Sequence, residues 1–200
     1  MRTLTDIFND YIVNVYPYQE NYYDWYRKAD NLRSAIQKAF LSQDEQGKVH
    51  PHQALVGRKR LAKASEIALA RFDALSVSNF ANFDSIHQFV KSVGDEIKGF
   101  GLLAAYDIAL RIAKYQKCDI KEVHIHAGVS DGAHAMGFDV KDGQTITVDE
   151  FPAPLNQLSG DHIENLLCLY KEALSDPCAE VSKTCVHPKS NSILQKSNCR

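Results

Sequence analysis

Apolar residues recur at steps of three and four along most of the chain, the period of a helix that buries one face. Leu4, Ile7, Phe8, Tyr11, Ile12 and Val15 predict a first helix that Pro17 closes. A second is predicted over 24–42, with Trp25, Tyr26, Ala29, Leu32, Ile36, Ala39 and Phe40 inward. Arg58 opens a third, whose apolar side is Leu61, Ala64, Ile67, Ala68 and Leu75. A fourth, capped by Asp84 or Ser85, carries Ile86, Phe89, Val90, Val93 and Ile97, and a fifth, over 102–117, carries Leu102, Ala105, Tyr106, Ala109 and Ile112. The last is predicted to start on a capping box of Asp161 and Glu164 and to bury Ile163, Leu166, Leu167, Tyr170 and Leu174.

Between the fifth and last helices the period changes. Val123, Ile125 and Ala127 alternate with His124 and His126, predicting a short extended segment over 122–127 that Gly128 ends. Ser130 or Asp131 can cap a brief helix through Met136, and Asp142-Gly143 within 138–148 is the turn signal of a small β-ribbon. Segment 42–57, with Gly47 and Pro51, reads as a loop, and 76–83, rich in Ser and Asn, as a linker. From Pro177 onward the apolar period is lost, so 176–200 reads as a disordered tail. The expected fold is mainly α: a single helical domain over 1–175, built as a multi-helix orthogonal bundle with one small β-hairpin.

Composition narrows the function. Hydrophobic residues make up 44% of the 200 and charged residues 24%, the balance of an ordinary globular protein, and no apolar run reaches the roughly 20 residues that a membrane span requires. A formal net charge of −2 excludes a protein that coats nucleic acid, so any phosphate binding must be local. The first residues include an early acid and lack an apolar signal core, so a cytoplasmic location without membrane partners, and with reduced thiols, is expected. Cys178, Cys185, His187 and Cys199 match zinc ligands in type but not in spacing. No metal or other cofactor is expected.

Three groups of residues carry candidate chemistry. The first is Lys98-Gly99-Phe100-Gly101, between the fourth and fifth helices. Two residues without side chains let an outside group approach the main chain, the amides at a helix N-terminus lack partners, and Phe100 can pin the turn to the core. The second is the basic run Arg58, Lys59, Arg60 and Lys63. Cations are disfavoured at a helix N-terminus unless something compensates, and a phosphate would; a solvated face is the other reading. The third is Glu122, His124, His126 and His134. On a strand Glu122, His124 and His126 share one face, where they could hold a cation or do acid-base work; equally, the alternation could serve only to bury Val123 and Ile125. His50-Pro51-His52 could be half of a metal site, but no Cys or acid stands nearby at a matching spacing, so a surface or structural role is expected. The aromatic cluster Tyr16, Tyr18, Tyr22, Tyr23, Trp25 and Tyr26 reads as a helix interface, with base stacking as the alternative.

Segment 85–116 resembles the helix-hairpin-helix motif through Ile97, Gly99, Phe100, Gly101, Ala105, Ile108 and Ala109. That resemblance implies a hairpin whose amides hold a nucleic-acid phosphate without reading sequence, with double-stranded DNA as the expected partner. More distantly the chain is similar to the base-excision DNA glycosylases. Their bifunctional members place a Schiff-base lysine two residues after the Gly-x-Gly; Leu103 stands there and cannot form one. Monofunctional members keep an aspartate further on, near Asp119 and Glu122 here. The expectation is therefore a DNA-repair-like binding protein using Lys98, Gly99, Phe100, Gly101, Arg58, Lys59, Arg60 and Lys63. The alternatives are a glycosylase-like enzyme working through Glu122, His124 and His126, and a helical protein-interaction module.

Overall fold

The computed structural model describes residues 3–75 and 80–176. It is mainly helical with one two-stranded antiparallel sheet. The expected disordered tail, with its cysteines, and most of the expected linker lie outside the described residues. Contacts divide the chain into two compact units, one of residues 1–20 with 120–200 and the other of residues 21–119. No composition break marks that division, so the apolar pattern reads as one domain.

The first unit opens with α1, Leu4–Asn14, on a capping box of Thr3 and Asp6. Pro17 does not simply end α1. It sits in the first turn of α2, Tyr16–Arg27, where its missing N–H costs nothing; the aromatic cluster lies on this helix, and its members Tyr22, Tyr23, Trp25 and Tyr26 belong to the second unit. Strand β1, Glu122–His124, pairs with β2, Thr145–Thr147, in the register Glu122 to Thr147, Val123 to Ile146 and His124 to Thr145. The predicted ribbon within 138–148 does not form. Gly143 turns as expected, at φ 88°, but its amide and the Gln144 carbonyl bond to Ile125, so the segment pairs with β1 and not with itself. α7 is Val129–Ala135, and α8 is Gly160–Ser175. Ile7, Tyr11, Val123, Ile125, Ile146, Phe151, Ile163, Leu166 and Tyr170 form this unit's core. The predicted box at Asp161 and Glu164 is replaced: Ser159 is the N-cap without a side-chain cap bond, and its hydroxyl donates to Asp161.

The second unit holds α3, Leu32–Leu41, α4, Arg58–Phe72, α5, Phe83–Gly94, and α6, Leu102–Gln116. The predicted helix over 24–42 is broken. Apolar positions keep helical spacing across the break, but the Asn31 side chain accepts from the Ser34 amide and starts a new helix. Asn82 caps α5 in the same way, in place of the predicted Asp84 or Ser85. Ile36, Phe40, Leu61, Phe80, Ile86, Val90, Ile108 and Ile112 are buried to 1% exposure or less, so α3, α4, α5 and α6 share one core. Segment 42–57 is less irregular than predicted, with a bridge between Gln43 and Val49 and a 3-10 turn at Pro51–Gln53.

Candidate functional site

The turn from α5 to α6 lies in the second unit. Ile97 donates to the Gly94 carbonyl and Phe100 to the Ile97 carbonyl, at 2.8 and 3.1 Å, which tightens the chain after α5. Gly99 follows at φ 84°, a conformation open to glycine and costly for other residues. Phe100 turns inward as predicted, its ring lying against Gly94 and stacked 6.4 Å from that of Phe40. That contact holds the turn while Lys98, Gly99 and Gly101 remain exposed.

Gly101 is the N-cap of α6, with φ −87°, ψ 179° and no side-chain cap. Among the described residues, no backbone hydrogen bond of the turn uses the amide of Gly99 or Gly101 as donor. Of the ten glycines in the chain, six have positive φ and three, Gly94, Gly132 and Gly160, lie against atoms that a β-carbon would strike. Gly101 alone has neither reason: its conformation suits any residue, and nothing lies within 4 Å of a β-carbon built there. Serine or asparagine would cap α6 better, but its side chain would occupy the amides that glycine leaves open.

Arg60 reaches this turn from α4, its Nη1 lying 3.5 Å from where a β-carbon on Gly99 would stand. Among the described residues, Arg60, Lys59 and Lys98 have no acidic partner. The rest of the basic run is engaged: Arg58 donates to the Gly47 carbonyl at 3.4 Å and Lys63 pairs with Glu66 at 3.7 Å.

Further along α6 the chain builds a polar cluster. Arg111, 2% exposed, donates from Nε to the Tyr22 hydroxyl at 2.8 Å, from Nη1 to Ser42 Oγ at 3.0 Å and from Nη2 to Gln53 Oε1 at 2.7 Å. Gln53 Nε2 then donates to Asp107 Oδ2 at 2.6 Å, and His52 Nδ1 lies 3.2 Å from the same oxygen. Burial would raise the Asp107 pKa, but the His52 hydrogen bond and the charges of Arg111, His52 and His50 outweigh it and hold the carboxyl well below the usual range. Burial likewise works against the Arg111 charge, yet Tyr22, Tyr26 and Asp107 raise its pKa above the ordinary value. Burial keeps the Tyr22 hydroxyl protonated by raising its pKa, against the opposing effect of Arg111.

Sequence reasoning missed this cluster. The acid that His50 and His52 lack nearby is Asp107, which lies 55 residues from His52 and is brought to it by α6. The missed signal was the pairing of Asp107 and Arg111, two charges one helical turn apart on an otherwise apolar face.

The histidines of the first unit take separate places. Glu122 and His124 share a face of β1 as predicted, bringing one ligand atom of each within 4.8 Å. The strand ends at His124, and His126 starts the turn into α7, its carbonyl accepting from Val129 and Ser130. Its Nε2 lies 2.6 Å from Glu164 on α8, and His134 Nε2 lies 2.8 Å from the Val140 carbonyl. Among the described residues, no ligand cluster unites His124, His126 and His134. Leu103 sits partly buried in the first turn of α6. No family model, curated protein or solved structure matches this chain.

Proposed function

We propose that this chain binds the backbone of double-stranded DNA at the turn between α5 and α6, largely without regard to base sequence. The observation that carries the reading is Gly101, a glycine that neither backbone conformation nor packing accounts for, at the uncapped start of a fifteen-residue helix. A phosphate oxygen placed there receives main-chain hydrogen bonds and the favourable end of the α6 dipole. Arg60 and Lys98 supply charge beside it, and their positions on α4 and the turn explain how a chain of net charge −2 can hold a polyanion locally. Contacts of this kind fix position on the duplex and carry no base information.

Two or three neutralised phosphates give a log–log salt slope of about −2 to −3, so affinity for a duplex should fall roughly 10- to 40-fold between 50 and 200 mM salt. Fluorescence anisotropy with a labelled duplex measures this. Gly101→Val places a branched side chain before the amides, in a conformation that valine adopts freely, and with Lys98→Glu it should abolish binding while circular dichroism remains unchanged. Arg60→Ala should weaken binding and lower the slope by about 1. Unchanged affinity in the double variant removes the turn from the mechanism.

A further inference from the structure

We propose that His50, His52 and Asp107 form a binding site for one divalent transition-metal ion of the zinc or cobalt type. Each residue offers one ligand atom, and the three atoms lie within 4.8 Å of one another. His52 Nδ1 and Asp107 Oδ2 are 3.2 Å apart. Bonds of about 2.0–2.1 Å to a tetrahedral ion set ligand atoms about 3.4 Å apart, so the ion can take the place of the proton between them with little movement. The His50 and His52 rings stand nearly perpendicular, at 86° with centroids 4.8 Å apart, and Pro51 between them starts a 3-10 turn that fixes the backbone joining them. The donor set already has the fixed shape that a flexible pair of imidazoles would have to be ordered into.

Support behind the ligands points the same way. Gln53 holds the Asp107 oxygen, Arg111 holds Gln53, and Arg111 is itself fixed by Ser42 and Tyr22. Outer partners of this kind orient a ligating carboxylate and are a regular part of metal sites. Two imidazoles and a carboxylate suit zinc, cobalt or nickel, whereas magnesium and calcium require a shell of oxygens. Three protein ligands leave a coordination position open, and side-chain exposures of 30% for His52 and 15% for Asp107 give an ion and a further ligand a way in. Arg111 opposes a second cation, but its nitrogens are directed at Tyr22, Ser42 and Gln53 and none of these contacts is to the carboxylate. The site is independent of the DNA reading, although α6 carries both: Asp107 is six residues beyond Gly101, about 9 Å along the axis.

The test uses the full chain, stripped with a chelator and then titrated with Zn2+ against a chromophoric competitor, with Co2+ as the spectroscopic probe. The expected result is one tight ion per chain, visible Co2+ absorption, a rise in melting temperature with Zn2+ and no response to Mg2+. His52→Gln and Asp107→Asn should each weaken binding about tenfold or more and abolish the Co2+ absorption, while His134→Ala leaves both intact. Melting curves in the absence of metal establish that each variant is folded. Should His52→Gln fail to fold, Asp107→Asn and His50→Gln decide. Absence of stoichiometric binding, or binding that survives the ligand substitutions, overturns the site.

Discussion

At the start of α8, Gly160 donates its amide to the Ile120 carbonyl at 2.7 Å and lies so close to the Glu122 carbonyl that a β-carbon would overlap it. At the start of α6, Gly101 meets nothing, and its amide makes no backbone hydrogen bond among the described residues. A glycine in the first helical position of α8 thus serves internal packing in one unit, while the glycine that N-caps α6 leaves main-chain donors open in the other. The imidazole–carboxylate pairs follow the same division. In the first unit His126 and Glu164 are shut in at 10% and 12% exposure, and both ring nitrogens of His162 are committed, to Tyr11 at 2.7 Å and Glu20 at 3.0 Å. In the second unit the His52 and Asp107 pair reaches the surface. Buried donors that are all spent give structure; donors held open at a surface give a place for a ligand.

The contrast is most exposed to test at the two glycines. Gly160→Ala should cost about 3 kcal/mol or more, since backbone carbonyls cannot move aside for a methyl group, while Gly101→Ala should cost no more than about 1 kcal/mol, the loss of a favoured N-cap residue. Chemical denaturation measures both, and equal losses would erase the distinction. Next in size is Arg111→Met, which leaves the buried Ser42 and Gln53 oxygens and the half-buried Tyr22 hydroxyl without their donor and should cost about 3 kcal/mol, read as a lower melting temperature. A neutral result there would mean that the cluster is not the support of the second unit.

A smaller effect concerns pH. Asp107 protonates near its ordinary value of 3.8 in the unfolded chain but only at lower pH when folded. As pH falls through 4 the unfolded chain takes up this proton first, so the stability the carboxylate supplies is fully present above that range and is lost below it. Asp107→Asn should therefore reduce stability at neutral pH and flatten the loss between pH 4 and lower values; an acid limb identical to that of the parent chain would contradict this role.

Much of the second unit was legible in its sequence. The starts of α4 and α6 and the ring that pins the turn follow from local signals: a basic residue beginning an apolar period, and Phe100 between two glycines. What sequence could not show was distant or competing. Asn31 interrupts a continuous apolar period because a local cap outweighs spacing, and β2 pairs with β1 instead of its own neighbours, which sets Ile146 opposite Val123 with both buried. Asp107 reaches His52 only through the packing of the helix that carries it, and Gly160 reveals its purpose only once the Glu122 carbonyl is placed against it.

Phosphate binding at the turn between α5 and α6 can be followed at the amides of Gly99 and Gly101 in a 15N-labelled chain as duplex DNA is added. These two resonances, with those of Lys98 and Leu102, should shift most and saturate together, and the shifts should disappear at high salt. A duplex that binds while moving other amides and leaving these in place would contradict binding at this turn.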